Sequence, residues 1–126
     1  MILETEIFKF EPDITAISCS GRFTLGNRLS EFEGLANSFL EEGVRKLVVD
    51  LAQVEFVDSA GLGVIMRLFG EIEQLGGQLR ICGANDQVQR LFNITHTATI
   101  LPLDPDLVAS VQRLQAGEPQ PADQSS

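Results

Sequence analysis

The sequence is poor in the residues from which catalytic and metal sites are usually built, since it has two cysteines and one histidine in 126 residues. Cys19 and Cys82 both lie in apolar, strand-like segments, and their spacing fits neither a CxxC redox pair nor a zinc site. We therefore expect two reduced, buried thiols of the kind found in cytoplasmic proteins. Nothing in the sequence indicates a cofactor or a metal ion.

Basic residues are also scarce, because nine lysines and arginines stand against eighteen aspartates and glutamates, a net charge of −9. Such a chain repels nucleic acids, so direct DNA or RNA binding is disfavoured. No apolar run approaches the roughly 18 residues of a membrane helix, and the N-terminal MILETE has no basic region or signal core. These absences favour a cytoplasmic protein without direct membrane insertion.

The chain has the length of one domain with its own hydrophobic core. Hydrophobic residues make up 44% and charged residues 21%, which is ordinary for a globular domain. We assign residues 1–116 to this domain and expect the polar, proline-rich segment 117–126 to be disordered.

The spacing of apolar residues predicts an α/β fold with a mixed four-to-five-stranded sheet and about four helices. Pro12-Asp13 marks a turn between the first two strands, which should form an antiparallel hairpin. Later strands alternate with helices, so their crossovers should be right-handed. The predicted strands are residues 3–10, 14–20, 47–49, 79–82 and 97–101, and the predicted helices are 29–40, 62–75, 88–92 and 107–114, the last begun near Asp104-Pro105.

The stretch from Lys46 to Gly77 is the centre of this pattern. A short apolar strand is followed by an expected connector over residues 52–57, and then by an amphipathic helix. Ser59 occupies the expected N-cap of that helix, which is the positive end of the helix dipole and has unpaired backbone N–H groups. Its hydroxyl is therefore either a simple helix cap or a group that can be modified.

Hydrolase chemistry at Ser59 is disfavoured, although Asp58 before it resembles part of a nucleophile turn. Val57 stands where a G-x-S-x-G motif requires its first glycine. The single histidine, His96, would have to act as the base, and it lies in a threonine-rich segment typical of a surface loop.

Phosphoryl chemistry by this chain is disfavoured as well. The glycines near Ser59 make no Walker motif, because the required lysine and Ser/Thr are missing. Asp50 ends an apolar strand, as the phospho-accepting aspartate of a receiver domain does. However, no acidic pair follows the first strands and no lysine follows Lys46. We therefore expect a protein that is not an enzyme.

Modification of Ser59 by another enzyme remains open beside the simple cap. The segment from Ser59 to Gly63 carries little side-chain bulk, so a kinase could approach the hydroxyl closely. A phosphate would add a charge of about −1.5 to −2, which the helix N-terminus tolerates. A docked acidic partner would not tolerate it, and Asp58 adds to the repulsion. One modification can thus switch binding without unfolding the domain.

Three motifs resemble the STAS family in its anti-sigma factor antagonist branch: Phe56-Val57-Asp58-Ser59-Ala60-Gly61-Leu62-Gly63-Val64-Ile65, Gly76-Gly77 before a strand, and Val88-Gln89-Arg90-Leu91-Phe92. The resemblance covers residues 14–114. It implies a single STAS-type domain whose helices lie mainly on one face of the sheet.

The resemblance also implies a function by partner switching. The unphosphorylated form of such an antagonist binds an anti-sigma factor that is a serine/threonine kinase, phosphorylation by that kinase ends the interaction, and a phosphoserine phosphatase restores it. The family's phosphorylated serine falls on Ser59, and ATP belongs to the kinase. The expected partner-binding residues are Thr24, Gly26, Asn27, Asp58, Ser59, Ala60, Gly61, Leu62 and Gly63. Scaffold subunits of signalling assemblies and accessory subunits of transporters use the same fold and form the alternative.

One position departs from the family pattern. Antagonists of this type often have Gly-x-Leu/Ile-Asp after the second strand, whereas this chain has Gly21-Arg22-Phe23-Thr24. The hydroxyl of Thr24 can still form a hydrogen bond with a partner, but the charge contact of the aspartate would be missing.

Overall fold

A mixed β-sheet flanked by helices forms the domain in the computed structural model, which describes residues 2–117. The described part contains five strands, four α-helices and one 3₁₀ turn. In chain order they are β1 (Glu4–Phe10), β2 (Ile14–Phe23), α1 (Asn27–Glu41), β3 (Lys46–Val57), α2 (Ser59–Gln74), β4 (Gln78–Cys82), α3 (Asp86–Ile94), the 3₁₀ turn (Thr97–Thr99), β5 (Leu103–Asp104) and α4 (Leu107–Gln115).

The strands lie side by side in the order in which they occur in the chain. β1 and β2 form the predicted antiparallel hairpin, and β2 to β5 run parallel to one another. Ile17 in β2 lies between Ile7 of β1 and Val49 of β3. Because four neighbouring strands are parallel, their carboxyl ends share one edge of the sheet. Loops that leave this edge are therefore brought together.

The two faces of the sheet are covered unequally. The larger hydrophobic cluster joins α1, α2 and α3 to one face through residues such as Phe32, Ile65 and Phe92. The smaller cluster packs α4 on the opposite face through Val111 and Leu114. The prediction that the helices lie mainly on one face is thus confirmed.

β2 and β3 are longer than the sequence predicts. Residues 52–57, expected to be a connector, continue β3 to Val57, and β2 passes Gly21 to end at Phe23. The two extensions pair with each other, and Phe23 lies opposite Val57. Each extension is stabilised by the other strand, so the local pattern of either segment alone does not show it.

The expected last strand over residues 97–101 is wrong. Thr97 begins a 3₁₀ turn, and β5 comes after Pro102 with only two residues. The carbonyl of Pro102 accepts a hydrogen bond from the N–H of Ile81 at 2.9 Å. Proline has no backbone N–H to donate, but its carbonyl can still accept a hydrogen bond from a neighbouring strand at the edge of a sheet.

The C-terminal helix begins slightly later than predicted. α4 begins at Leu107 with Asp106 as its N-cap, one residue after the proline that was expected in its first turn. The tail predicted to be disordered lies outside the described residues apart from Gly117. Within the part that the structure describes, no helix has the length and apolar character needed to cross a bilayer.

Candidate functional site

Two loops meet at the carboxyl edge of the sheet. Residues 24–26 follow β2, and Asp58 follows β3, its neighbour in the sheet. The N–H of Asp58 donates to the carbonyl of Phe23 at 3.4 Å, so the two strand ends are joined directly. The first turns of α1 and α2 start from this junction. Most of the residues expected to bind a partner are therefore neighbours in space.

Asp58, and not Ser59, caps α2. Its Oδ1 accepts a hydrogen bond from the N–H of Gly61 at 2.8 Å. Its Oδ2 accepts one from the N–H of Leu25 at 3.0 Å and so holds the loop between β2 and α1. The expectation that Ser59 is the N-cap is wrong. Serine and aspartate are both strong N-caps, so the sequence alone does not decide between them. In the structure the carboxylate of Asp58 has two oxygens, one for the N–H of Gly61 and one for the N–H of Leu25.

Ser59 is consequently the first residue of α2, and it is exposed. Among residues 2–117 its hydroxyl has no hydrogen-bond partner. It borders an open groove of about 240 Å³ between the first turns of α1 and α2. The groove is lined by Leu25, Gly26, Leu29, Ser30, Glu33, Ser59, Ala60, Gly63, Val64 and Arg67. A reagent or an enzyme can reach this hydroxyl without moving the backbone.

The small residues after Ser59 have different roles. A Cβ on Gly61 would collide with the carbonyl oxygen of Phe23 and lie 2.8 Å from a carbon of its ring. Gly61 is therefore required inside the protein, where α2 crosses the end of β2. A Cβ on Gly63 would lie 3.6 Å from the Arg67 guanidinium, which is ordinary contact. Within this segment Ser59 is exposed, Ala60 and Gly63 are half-buried, and Gly61 and Leu62 are buried.

The loop before α1 contains a residue that sequence reasoning missed. Leu25 lies between the expected binding residues Thr24 and Gly26, and it is 80% exposed. Thr24 is half-buried, Gly26 caps α1 without a side chain, and Asn27 is the exposed first residue of that helix. A signal was present, since a leucine flanked by loop residues fits neither a strand nor a helix face.

Arginines surround the loop on both sides. Arg22 stacks over the ring of Phe56, with 5.3 Å between its guanidinium carbon and the ring centroid. Arg67 pairs with Glu33 across α1 and α2 at 3.0 Å. A second groove of about 350 Å³ adjoins the first and is lined by Ile2, Leu3, Arg22, Thr24, Leu25, Gly26, Asn27 and Arg28.

The residues considered for catalysis lie elsewhere. Asp50 accepts hydrogen bonds from Ser18 and from the N–H of Ala52, so it has a structural role in β3. His96 is exposed beyond the far end of α3. In the described region no three histidines, cysteines or acids cluster as metal ligands would.

Both cysteines are buried and unpaired, as predicted. Burial, with a smaller contribution from the negative charge of Asp50, raises the pKa of Cys19 to about 12 and that of Cys82 to about 12. Cys19 lies in β2 and Cys82 in β4, and both thiols are protonated at neutral pH. They are core residues.

Comparison with known proteins identifies the fold. Residues 7–110 match the family model of the STAS domain. The anti-sigma F factor antagonist of Paenibacillus polymyxa is 33% identical over 69 residues, which is 55% of this chain and 59% of that protein. A homologue of TM1081 from Thermotoga neapolitana is 23% identical over 86% of this chain and 96% of that protein.

A solved structure has the same architecture over nearly its full length. The anti-sigma factor antagonist from Mycobacterium paratuberculosis superimposes with a TM-score of 0.79 at 19% identity, covering 90% of this chain and 95% of that one. At this identity the likeness concerns the fold alone. The predicted fold class is confirmed.

Proposed function

The chain belongs to the STAS domain family, and from this premise we propose that it is an anti-sigma factor antagonist that works by partner switching. In its unphosphorylated form it binds a serine-kinase anti-sigma factor. Phosphorylation of Ser59 by that kinase releases it, and a phosphoserine phosphatase restores binding. The matched proteins from Paenibacillus polymyxa and Mycobacterium paratuberculosis are named as antagonists and not as enzymes, in agreement with the prediction that this chain catalyses no reaction.

One observation carries the proposal: the Ser59 hydroxyl is exposed at the start of α2 while Asp58 performs the capping. If Ser59 were the cap, a phosphate would replace a structural hydrogen bond. Here the hydroxyl has no structural task among the described residues, so it can be esterified with the helix intact. A phosphate at the first turn is also stabilised by the backbone N–H groups and the helix dipole.

The effect of the phosphate falls on the partner. The added charge of about −1.5 to −2 lies in the open groove between α1 and α2, where an interface would exclude water. A like charge or an unpaired charge in such an interface is strongly unfavourable. Release then needs no change in the shape of this domain. The switch is electrostatic, and it takes place in the cytoplasm, where anti-sigma factors act.

Binding of Ser59 variants to the purified serine-kinase anti-sigma factor tests the proposal. We expect Ser59→Ala to bind as the wild type does and Ser59→Asp to bind at least about 100-fold more weakly. Ser38→Asp is the matched control, because it adds the same charge at an exposed position in the last part of α1. Equal binding by both Ser59 variants would defeat the switch.

Phosphorylation itself is a separate measurement. Incubation of the chain with the kinase and Mg-ATP should add one phosphate, and peptide mass spectrometry should place it on Ser59. The Ser59→Ala protein should stay unmodified, and the phosphorylated wild type should keep the circular dichroism spectrum of the unmodified protein. A phosphate on another serine would contradict the assignment of the site.

A further inference from the structure

Leu25 is exposed to a degree that the fold itself does not explain. We propose that Leu25 is the apolar anchor of the partner-binding surface, and that the partner receives it in an apolar pocket bordered by carboxylates. The inference rests on the proposed function, to which it adds the residue that is buried on binding and the chemistry of the opposing surface.

The backbone presents Leu25 in a fixed position. Its N–H is held by the carboxylate of Asp58, and the next residue, Gly26, caps α1. Its side chain is 80% exposed. An apolar side chain on an ordered backbone loses little conformational entropy when a partner covers it, which is the property of an interface anchor.

Leu25 lies between two grooves and lines both of them. On one side is the groove of Ser59, and on the other is the groove lined by Arg22, Arg28 and the 63%-exposed Ile2. A partner that covers Leu25 therefore reaches both. This continuity connects the anchor with the site of modification.

The charge of the second groove identifies the partner's chemistry. The chain as a whole carries −9, yet the residues lining this groove include two arginines and neither aspartate nor glutamate. An apolar pocket bordered by carboxylates is complementary to a leucine flanked by arginines. Where the family often has an aspartate, this chain has Thr24, so the only charged residues that line this groove are the two arginines.

The same charge arrangement explains how the phosphate acts at a distance from the anchor. Carboxylates drawn to Arg22 and Arg28 would face a phosphate on Ser59 across Leu25. The phosphate repels them, and it also competes for the nearby arginines. Docking and release thus depend on the same opposing carboxylates.

Affinity for the purified serine-kinase anti-sigma factor tests the inference with two variants. Leu25→Ala should weaken binding by about tenfold or more, because it removes the buried apolar contact. Arg28→Glu should weaken it by about tenfold or more at low salt and by less at high salt. Because Arg28 lies in the first turn of α1, a glutamate there favours the helix, so unfolding would not explain lost binding.

Matched controls lie at the opposite edge of the sheet. Leu75→Ala removes an exposed leucine at the other end of α2. Lys46→Glu makes the same charge change at the start of β3, and because it also removes the ion pair with Asp13, its thermal unfolding is measured beside its binding. Both should bind within about twofold of the wild type.

The outcomes separate this inference from the proposed function. If Leu25→Ala and Arg28→Glu bind like the wild type while Ser59→Asp still loses binding, the anchor is wrong and the switch stands. If the Leu25 and Arg28 variants weaken binding while both Ser59 variants bind alike, the anchor stands and the switch fails. Tighter binding by Arg28→Glu would overturn the acidic character assigned to the partner.

Discussion

At the scale of single residues, the carboxylate of Asp58 divides its two oxygens between α2 and the loop that carries Leu25. Oδ1 holds the N–H of Gly61, and Oδ2 holds the N–H of Leu25. In the proposed switch, the aspartate of the Asp-Ser pair therefore positions the binding surface, while phosphorylation of the serine changes its charge. The two neighbours have separable functions, and substitutions can separate them.

Asparagine at position 58 should keep one function and lose the other. The carbonyl oxygen of Asp58→Asn can still cap Gly61, but its amide nitrogen cannot accept from Leu25. Asp58→Ala loses both contacts and should lower the free energy of unfolding by about 1–2 kcal/mol, with a smaller loss for the asparagine. Hydrogen exchange should be faster at Leu25 in both variants and faster at Gly61 only in the alanine variant. Unchanged protection of Leu25 in Asp58→Asn would show that Oδ2 does not hold the loop.

Gly61 and Gly63 are close in sequence but have different surroundings in the structure. Gly61→Ala places a methyl group against the Phe23 carbonyl and ring, so it should cost about 2 kcal/mol or more of stability. Gly63→Ala meets no such contact and should raise stability by up to about 1 kcal/mol, because alanine favours a helix interior. Urea unfolding of both proteins measures the difference. Equal stabilities would mean that α2 can move away from β2 at little cost.

At the scale of elements, β5 and α4 are held by a buried polar cluster. Arg80 in β4 donates to Asp104 in β5 at 2.6 and 3.1 Å, and Ser110 in α4 donates to the same carboxylate at 2.6 Å. Arg113 reaches it from the surface at 3.1 Å. β5 has only two residues, so these side chains add the contacts that its short backbone ladder lacks.

Removing the charge of Asp104 should therefore disrupt this end of the domain. Asp104→Asn leaves the buried guanidinium of Arg80 without its counter-ion, and we expect a loss of about 3–5 kcal/mol. Arg113→Gln changes a half-exposed partner of the same carboxylate and should cost no more than about 1 kcal/mol. Thermal unfolding compares the two variants. A small loss for Asp104→Asn would show that Arg80 finds water or another acceptor.

The elements also show what the sequence could predict. The helices were predictable because their apolar spacing is local, as in α1 with Phe32, Ala36 and Phe39. The ends of β2 and β3 and the position of β5 were not, because they depend on pairing with distant strands or on Arg80 and Asp104. The motif predicted that Ser59 lies at the start of a helix, but the identity of the N-cap depends on the contact between Asp58 and Leu25, which are 33 positions apart in the chain.

At the scale of the whole molecule, the sheet separates two layers of unequal size. The layer of α1 to α3 contains most of the buried apolar residues, and the layer of α4 adds a small cluster that includes Ile14, Val48 and Leu114. Cys19 belongs to the larger cluster and Cys82 to the smaller one. The two thiols therefore report on opposite faces of the same sheet.

The small layer should open before the large one, because less apolar surface must be exposed to release α4. The pKa of each buried thiol is raised to about 12, so at about pH 8 the native protein should react with neither. With increasing denaturant below the unfolding midpoint, Cys82 should become labelled by iodoacetamide before Cys19, as read by mass spectrometry of the intact and digested protein.

The same raised pKa values make the stability fall as the pH rises from about 9 towards 12, since the unfolded thiols lose their protons first. Replacing each cysteine by alanine should therefore reduce this loss of stability at alkaline pH, with the other cysteine as the internal control.

The labelling experiment has two contrary outcomes. If both thiols are labelled at equal rates at every denaturant concentration, the two layers open as one cooperative unit. If Cys19 is labelled first, the edge strand β1, which pairs with it through Thr5, opens more easily than α4.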